Sequence, residues 1–340
     1  MKSLLQTLNG KIISPPPVWL MRQAGRHLPE YLNLRSQTDS FLDFCYSPDM
    51  AVEATLQPIL RYGMDAAILF SDILVIPDAL GQRVSFIPGH GPRLEPLDGR
   101  ADINRLDPSN LHAHLAPVYA AIRRIRTRLP KTTTLIGFAG APWTVATYMI
   151  EGGGSRDCQK TRTYAYETKD DFQALIDLLV DTTSSYLIRQ ADEGAEVVQI
   201  FDSWAGVLPP MQFDDWVIKP FQKIVAAVKT VHPNLPIIGF PKGAGLGYAT
   251  FATQTGVDAV SLDSMVPLVW AAENVQPHTV IQGNLDNLVL RSGGQLLEAA
   301  VQEILTVFSA RPFIFNLGHG ILPETPVSHV EQLLDIIRRN

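Results

Sequence analysis

Eight short apolar runs punctuate the chain, and they restrict its fold more than any other feature: "VWLM" (18–21), "AAILFS" (66–71), "TLIGF" (134–138), "EVVQIFD" (196–202), "PIIGF" (236–240), "DAVSL" (258–262), "TVIQG" (279–283) and "PFIFN" (312–316). The runs carry β-branched and aromatic side chains and are bounded by Gly, Pro or Asp, which is how a strand buried on both faces reads. Segments of helical period separate them. One enters at Pro48 and closes at Gly63; another covers 170–194 and closes at Gly194. Strands apolar on both faces need helices on both sides, hence a parallel sheet. Eight such units predict an α/β fold, a closed (β/α)8 TIM barrel, in a single domain over residues 1–340. A doubly wound open sheet is the competing arrangement. It is disfavoured because no Gly-rich dinucleotide fingerprint follows the first run, and because polar residues follow run after run instead of gathering at one switch point.

Composition excludes several functions. With 46% hydrophobic and 18% charged residues the 340-residue chain can bury a large core and is not disordered. Its formal net charge of −6 offers no general attraction for nucleic acid, so an anionic ligand must be met by local cations. Cys45 and Cys158 lie far apart, without the spacing of a zinc site, and no metal is expected. No apolar run approaches the ~20 residues of a membrane span. The leading "MKSLLQTLNGKIISPPP" lacks the apolar core and cleavage site of a secretion signal, so a cytoplasmic location is expected. Two loops are long: Gly81 to Pro108, where "SFIPGHGPRLEPL" reads as a small hairpin, and the stretch around "EGGGSRD" (151–157), which reads as flexible.

Barrel sites are built where strands run into the following loops. After the first run, "PVWLMRQAGRHLPEY" (17–31) supplies Arg22, Gln23, Gly25 and Arg26. Two planar guanidiniums beside a Gly make an anion receptor, or else two surface arginines bridged to local acids. The second run leads into "FSDILVIPDALG", where Asp72 sits among apolar residues; it either serves a ligand, or it or Ser71 caps a helix. "GFAGAPWTVATYMIEGGG" brings Thr144 and Tyr148, "IFDSWAG" brings Ser203 and "FNLGHGI" brings His319 between two glycines. Capping for Ser203 and plain half-burial for Tyr148 are the structural alternatives. Together these residues would surround one mouth with two guanidiniums, a carboxylate, a phenol, a hydroxyl and an imidazole. That equipment suits an anionic ligand which also carries N–H groups.

"PVWLMRQAGRHLPEY" and "IGFAGAPWTVATYMIEGG" resemble the two signature segments of the uroporphyrinogen decarboxylase family, and "LFSDILVIPDALG", "QIFDSWAG" and "FNLGHGI" continue the likeness in order over essentially the whole chain. His27 departs from the pattern, since the family usually has Tyr there. The resemblance implies a (β/α)8 barrel, a homodimer with facing clefts, and neither cofactor nor metal. The implied reaction is removal of CO2 from the four acetate arms of uroporphyrinogen III to give coproporphyrinogen III, on the way to haem and chlorophyll. Carried over residue by residue, Arg22 and Arg26 would hold substrate carboxylates with Gln23 beside them, and Asp72 would accept the pyrrole N–H groups. Tyr148, Ser203 and His319 would orient the macrocycle, with Phe138 packed against it. Asp72, Arg22 and Tyr148 are the implied catalytic set, Arg22 or a water being the candidate proton donor. Two other readings remain open at this level. One is a corrinoid-linked methyltransferase of the same superfamily, which would need a zinc-binding His/Cys set; the other is a tetrapyrrole-binding protein without activity.

Overall fold

The computed structural model describes residues 2–87 and 90–340. Among the described residues nine strands form: β1 (Ala66–Ile68), β2 (Val84–Ile87), β3 (Gly91–Leu94), β4 (Thr134–Gly140), β5 (Val197–Asp202), β6 (Ile237–Pro241), β7 (Ala259–Ser261), β8 (Val280–Leu285) and β9 (Phe313–Leu317). Seven of them make one sheet in the order β1-β4-β5-β6-β7-β8-β9, every pair parallel. Seven of the eight apolar runs thus contain a strand of this sheet.

The first run differs. Residues 18–21 form no strand and contribute an isolated parallel bridge, Val18 to Phe315. Three successive prolines precede it and remove the donors a ladder needs, while Arg22 turns the chain away at once with φ of 60°. The segment is nonetheless tied on both sides. Phe315 N donates to Pro17 O (2.9 Å) and Trp19 N to Phe315 O (3.4 Å), while Asp65 N, just before β1, donates to Val18 O (2.9 Å). The run at 66–71 also shortens, to three residues, because the Phe70 amide is taken by Thr55 Oγ1 (2.9 Å) rather than by a neighbouring strand.

The helices follow their signals. Pro48–Tyr62 starts where Ser47 Oγ accepts the Met50 amide, with Pro48 in the first turn, and stops at Gly63 with φ of 62°. The helix expected over 170–194 spans Lys169–Asp192. β2 and β3 are the expected hairpin; its Pro88 and Gly89 lie outside the described residues. The "EGGG" stretch is tied down rather than free: Leu94 N donates to Gly152 O (3.0 Å) and Arg93 is bridged to Gly153. A Cβ at Gly153 would sit 3.0 Å from Pro92 O, so the glycines permit close approach of two backbones.

The sheet curls around an apolar interior made by Trp19, Ala66, Ile136, Val197, Ile238, Ala259, Val280 and Ile314. Leu4 and Leu8 of the short helix Ser3–Leu8 belong to the same cluster. That helix closes the amino ends of the strands, where Lys2 Nζ donates to Thr133 O and Ser3 Oγ to Asp65 (3.0 Å). Above the apolar layer lies a polar one: Gln282 Nε2 donates to Gln199 Oε1 (3.1 Å) and Ser261 Oγ (3.1 Å), and Trp19 Nε1 donates to Gln282 Oε1 (2.9 Å). With the amino ends sealed, the carboxyl ends are left to carry chemistry. Among the described residues no helix is long and apolar enough to cross a membrane.

Candidate active site

The arginine loop is fastened to the strands on each side of it. Gln23 is fully buried; its Oε1 accepts the Leu20 amide (3.0 Å) and its Nε2 donates to Ala66 O (3.0 Å). Both polar ends of this side chain make bonds inside the fold, so Gln23, expected to sit beside a ligand, also holds the loop against β1. On the other side, Met21 N donates to Asn316 Oδ1 (3.0 Å) and Ile321 N donates to Met21 O (2.9 Å), joining the loop to the one that carries His319. The Arg22 side chain lies along Gly320, where a Cβ would collide with its Cγ and Cδ. Gly25 is equally constrained, since a Cβ there would lie 2.8 Å from Arg22 O. Arg22 and Arg26 are exposed, and neither has a carboxylate within ion-pair distance among the described residues. Surface ion pairing therefore does not explain them. His27 is buried, stacked parallel to Tyr62 with ring centroids 6.3 Å apart, and burial pushes its pKa down to about 4. It is a wall residue.

Asp72 follows β1 and is half-buried. Its Oδ1 accepts the Leu74 amide (2.9 Å), a turn made ahead of the helix Val75–Ala79, whose N-cap is Leu74 with no side chain bonded to it. The carboxylate is thus held by one oxygen and does not cap the helix. Burial pushes its pKa up to about 6, against the pull of the Leu74 amide and of Arg22. At neutral pH it is charged, at a desolvation cost that a cationic neighbour would relieve.

Tyr148 projects from the helix Pro142–Glu151, half-buried, and packs on Trp204 with centroids 4.3 Å apart. Burial and the Asp72 charge push its phenol up to about 12, so it is a neutral hydrogen-bond donor. Ser203 follows β5 and is half-buried; the next turn of helix, Ala205–Val207, takes Trp204 as its N-cap without a side-chain bond, so Ser203 does not cap. Phe138 lies in β4, buried and edge-on to Phe201 at 5.7 Å. His319 is half-buried, and the Gly320 amide donates to its Nδ1 (2.6 Å). Nδ1 is therefore unprotonated and Nε2 carries the hydrogen. Burial, with Arg22 and Lys242 nearby, pushes the imidazole down to about 4, which leaves it neutral.

Arg22 thus acts electrostatically on Asp72, Tyr148 and His319 at once, which brings four of the expected residues into one neighbourhood. Lys242, directly after β6, was not singled out from the sequence; a polar residue after a strand in "GFPKGAG" was the available signal. No group of three or more His, Cys, Asp or Glu able to hold a metal ion occurs among the described residues, and Cys45 and Cys158 are both buried free thiols.

The family model for Uroporphyrinogen decarboxylase (URO-D) matches residues 1–340. The chain belongs to the uroporphyrinogen decarboxylase family. It is 55% identical over 337 residues to the uroporphyrinogen decarboxylase of Rhodospirillum rubrum, covering 99% of this chain and 97% of the relative. It is 53% identical over 337 residues to that of a Chelativorans species, covering 99% and 98%. A methyltransferase from Methanosarcina mazei is similar in structure, with a TM-score of 0.77 over 99% of this chain and 97% of the neighbour. Its sequence identity of 18% speaks for a shared fold alone. For a member of the uroporphyrinogen decarboxylase family the residues gathered at the mouth acquire a reaction to perform.

Proposed function

We propose that this carboxy-lyase removes CO2 from the four acetate arms of uroporphyrinogen III, giving coproporphyrinogen III, and that Asp72 supplies the decisive charge. The chemistry needs a place for an electron pair. Protonation of the pyrrole α-carbon next to the one that bears the acetate makes a ring cation; the bond to the carboxyl carbon then breaks, its electrons form an exocyclic double bond that neutralises the ring, and CO2 leaves. The exocyclic methylene takes a proton and the ring carbon loses its own, so each arm becomes a methyl with net uptake of one proton. A carboxylate about 4 Å from the cation contributes on the order of 4 kcal/mol at an effective dielectric of 20, or roughly three powers of ten in rate. Asp72 suits that role because one oxygen remains unbonded while the other is held by Leu74. The same free oxygen would accept pyrrole N–H groups.

The other residues have matching tasks. Arg22 and Arg26, which have no carboxylate within ion-pair distance among the described residues, are free to take substrate carboxylates. Neutral His319, with its hydrogen on Nε2, and the neutral phenol of Tyr148 are donors, as is Ser203. Phe138 gives the macrocycle an apolar wall. Arg22 and a bound water are the candidate proton donors, arginine being an awkward acid because guanidinium holds its proton to above about pH 12. Gln23 holds the loop. The reading needs no cofactor or metal, since the protonated ring is itself the electron sink.

Three further elements belong to this proposal. Residues 17–19 bond to β9 and to the entry of β1, which supports a closed eight-membered barrel in a single domain. The loops after β5 to β8 expose Met211, Leu246, Met265 and Leu288, which supports a second copy seated over this rim as a homodimer. The net charge of −6 supports a small-molecule substrate rather than nucleic acid.

The observation that carries the proposal is a charged, singly held carboxylate beside unpaired arginines at the open end of the barrel. Anaerobic incubation of the purified chain with uroporphyrinogen III tests it. Stepwise appearance of products with seven to four carboxyl groups is expected; tight binding without any product would leave only a tetrapyrrole-binding protein.

A further inference from the structure

Behind the mouth lies a second carboxylate that the proposed reaction does not use. Asp202 ends β5, is 0% exposed, and its Oδ2 has no hydrogen-bond partner among the described residues. Its Oδ1 accepts the hydroxyl of Thr144, the third residue of the helix that carries Tyr148, after Pro142 and Trp143. Thr144 Oγ1 also accepts the amide hydrogen of Trp204 (3.2 Å), so the one hydroxyl joins Asp202 to the turn that follows it. The residue before Thr144 completes the tie, since Trp143 Nε1 donates to Trp204 O (3.0 Å). Both peptide groups flanking Trp204 are thereby pinned to one helix, and the Trp204 ring rests on Tyr148. The carbonyl of Asp202 accepts the amide of Lys242 (3.0 Å), which joins the same residue to β6.

We propose that Asp202 is a positioning residue: by orienting the Thr144 hydroxyl it clamps the Ser203–Trp204 turn to the Tyr148 helix and sets where those two side chains meet the substrate. The inference rests on the decarboxylase reading above. A hydroxyl that could rotate would bond the Trp204 amide only part of the time, and the turn after β5 would drift against the helix after β4. Arg22 and Arg26 belong to another part of the mouth, fastened by Gln23 and Asn316, so binding of the acidic periphery does not depend on the clamp.

The test compares four variants by kcat, KM, thermal midpoint and near-ultraviolet circular dichroism, the last reporting the Tyr148–Trp204 pair whether or not turnover occurs. Asp202→Ala and Thr144→Val break the clamp. They are expected to lower kcat by about tenfold or more with KM changed by no more than about threefold, and to alter the aromatic dichroism. Asp202→Asn, whose amide oxygen can still accept the Thr144 hydrogen, and Thr144→Ser keep it, and should stay within about threefold of the parent in kcat with its dichroism. If Asp202→Ala fails to fold, Thr144→Val set against Thr144→Ser decides. Parental kcat and dichroism in Thr144→Val, or an Asp202→Asn as damaged as Thr144→Val, would overturn the inference. A parent chain that makes no product would sink the proposed function instead, and the dichroism would still judge the clamp.

Discussion

Asp72 and Asp202 stand at carboxyl ends of strands in one sheet, and burial raises both, to about 6 and about 7. Their surroundings part there. Asp72 is half-buried, feels the Arg22 cation and keeps one oxygen unbonded, so its charge is available to something that enters the mouth. Asp202 is sealed, has no cationic neighbour opposing its desolvation, and spends its bonded oxygen on Thr144. The difference teaches that a raised carboxyl pKa identifies expensive burial, while access and partners decide whether the expense serves chemistry or geometry.

That contrast can be broken most forcefully at Asp72. Asp72→Asn preserves shape and removes the charge, and kcat/KM for uroporphyrinogen is expected to fall by about three powers of ten. The parent should also lose activity as pH drops through about 6, where Asp72 takes up a proton, whereas the residual activity of Asp72→Asn should lack that limb. A variant with parental efficiency would place Asp72 beside Asp202 as a structural residue.

A smaller effect is expected from the arginines. Each charge-assisted contact contributes roughly 1.5 to 3 kcal/mol, so Arg26→Ala should weaken substrate binding by about 10- to 150-fold and flatten the salt dependence of association. Arg22→Ala should lower kcat as well as affinity, since Arg22 also acts on Asp72 and His319. Equal behaviour of the two variants would show that the mouth does not distinguish them.

Stability sharpens the other half of the comparison. A carboxyl whose pKa is raised on folding binds its proton more tightly in the native state, so the native state is progressively disfavoured as pH rises from about 4 to about 7 and changes no further above that. Asp202→Asn does not titrate. Its stability relative to the parent should therefore improve over that window by at most about 1.4 kcal/mol per pH unit, measured by denaturant unfolding. A flat difference would mean that Asp202 is not desolvated. The mildest change is Gly320→Ala, where the new methyl must displace the flexible Arg22 side chain; a loss of about threefold to tenfold in affinity with an unchanged thermal midpoint is expected.

Much of this was legible in the sequence, for identifiable reasons. Runs such as "EVVQIFD" and "TVIQG" are apolar on both faces because helices cover one side and the interior the other, and they became strands. "VWLM" has the same composition but follows three prolines and precedes a left-handed Arg22, so backbone chemistry overrode apolar pattern. Asp72 and His319 drew notice as polar residues just beyond apolar runs that became strands, whereas Tyr148 lies inside a helix and was singled out as functional through the family resemblance. The internal bond of Gln23 could not be read from its neighbours, because the partner of its amide, Ala66 O, is distant in sequence. Asp202 went unnoticed for a related reason: it closes an apolar run, and the Thr144 that gives it a task lies 58 residues away.

The account's central claim is that the Asp72 charge acts on the transition state rather than on the bound substrate. The most direct measurement is the single-turnover decarboxylation rate of Asp72→Asn, taken with the substrate dissociation constant of the same preparation. A rate reduced by about three powers of ten with affinity changed by less than about tenfold is predicted. Losses of equal size in rate and affinity, or a loss in affinity alone, would contradict it.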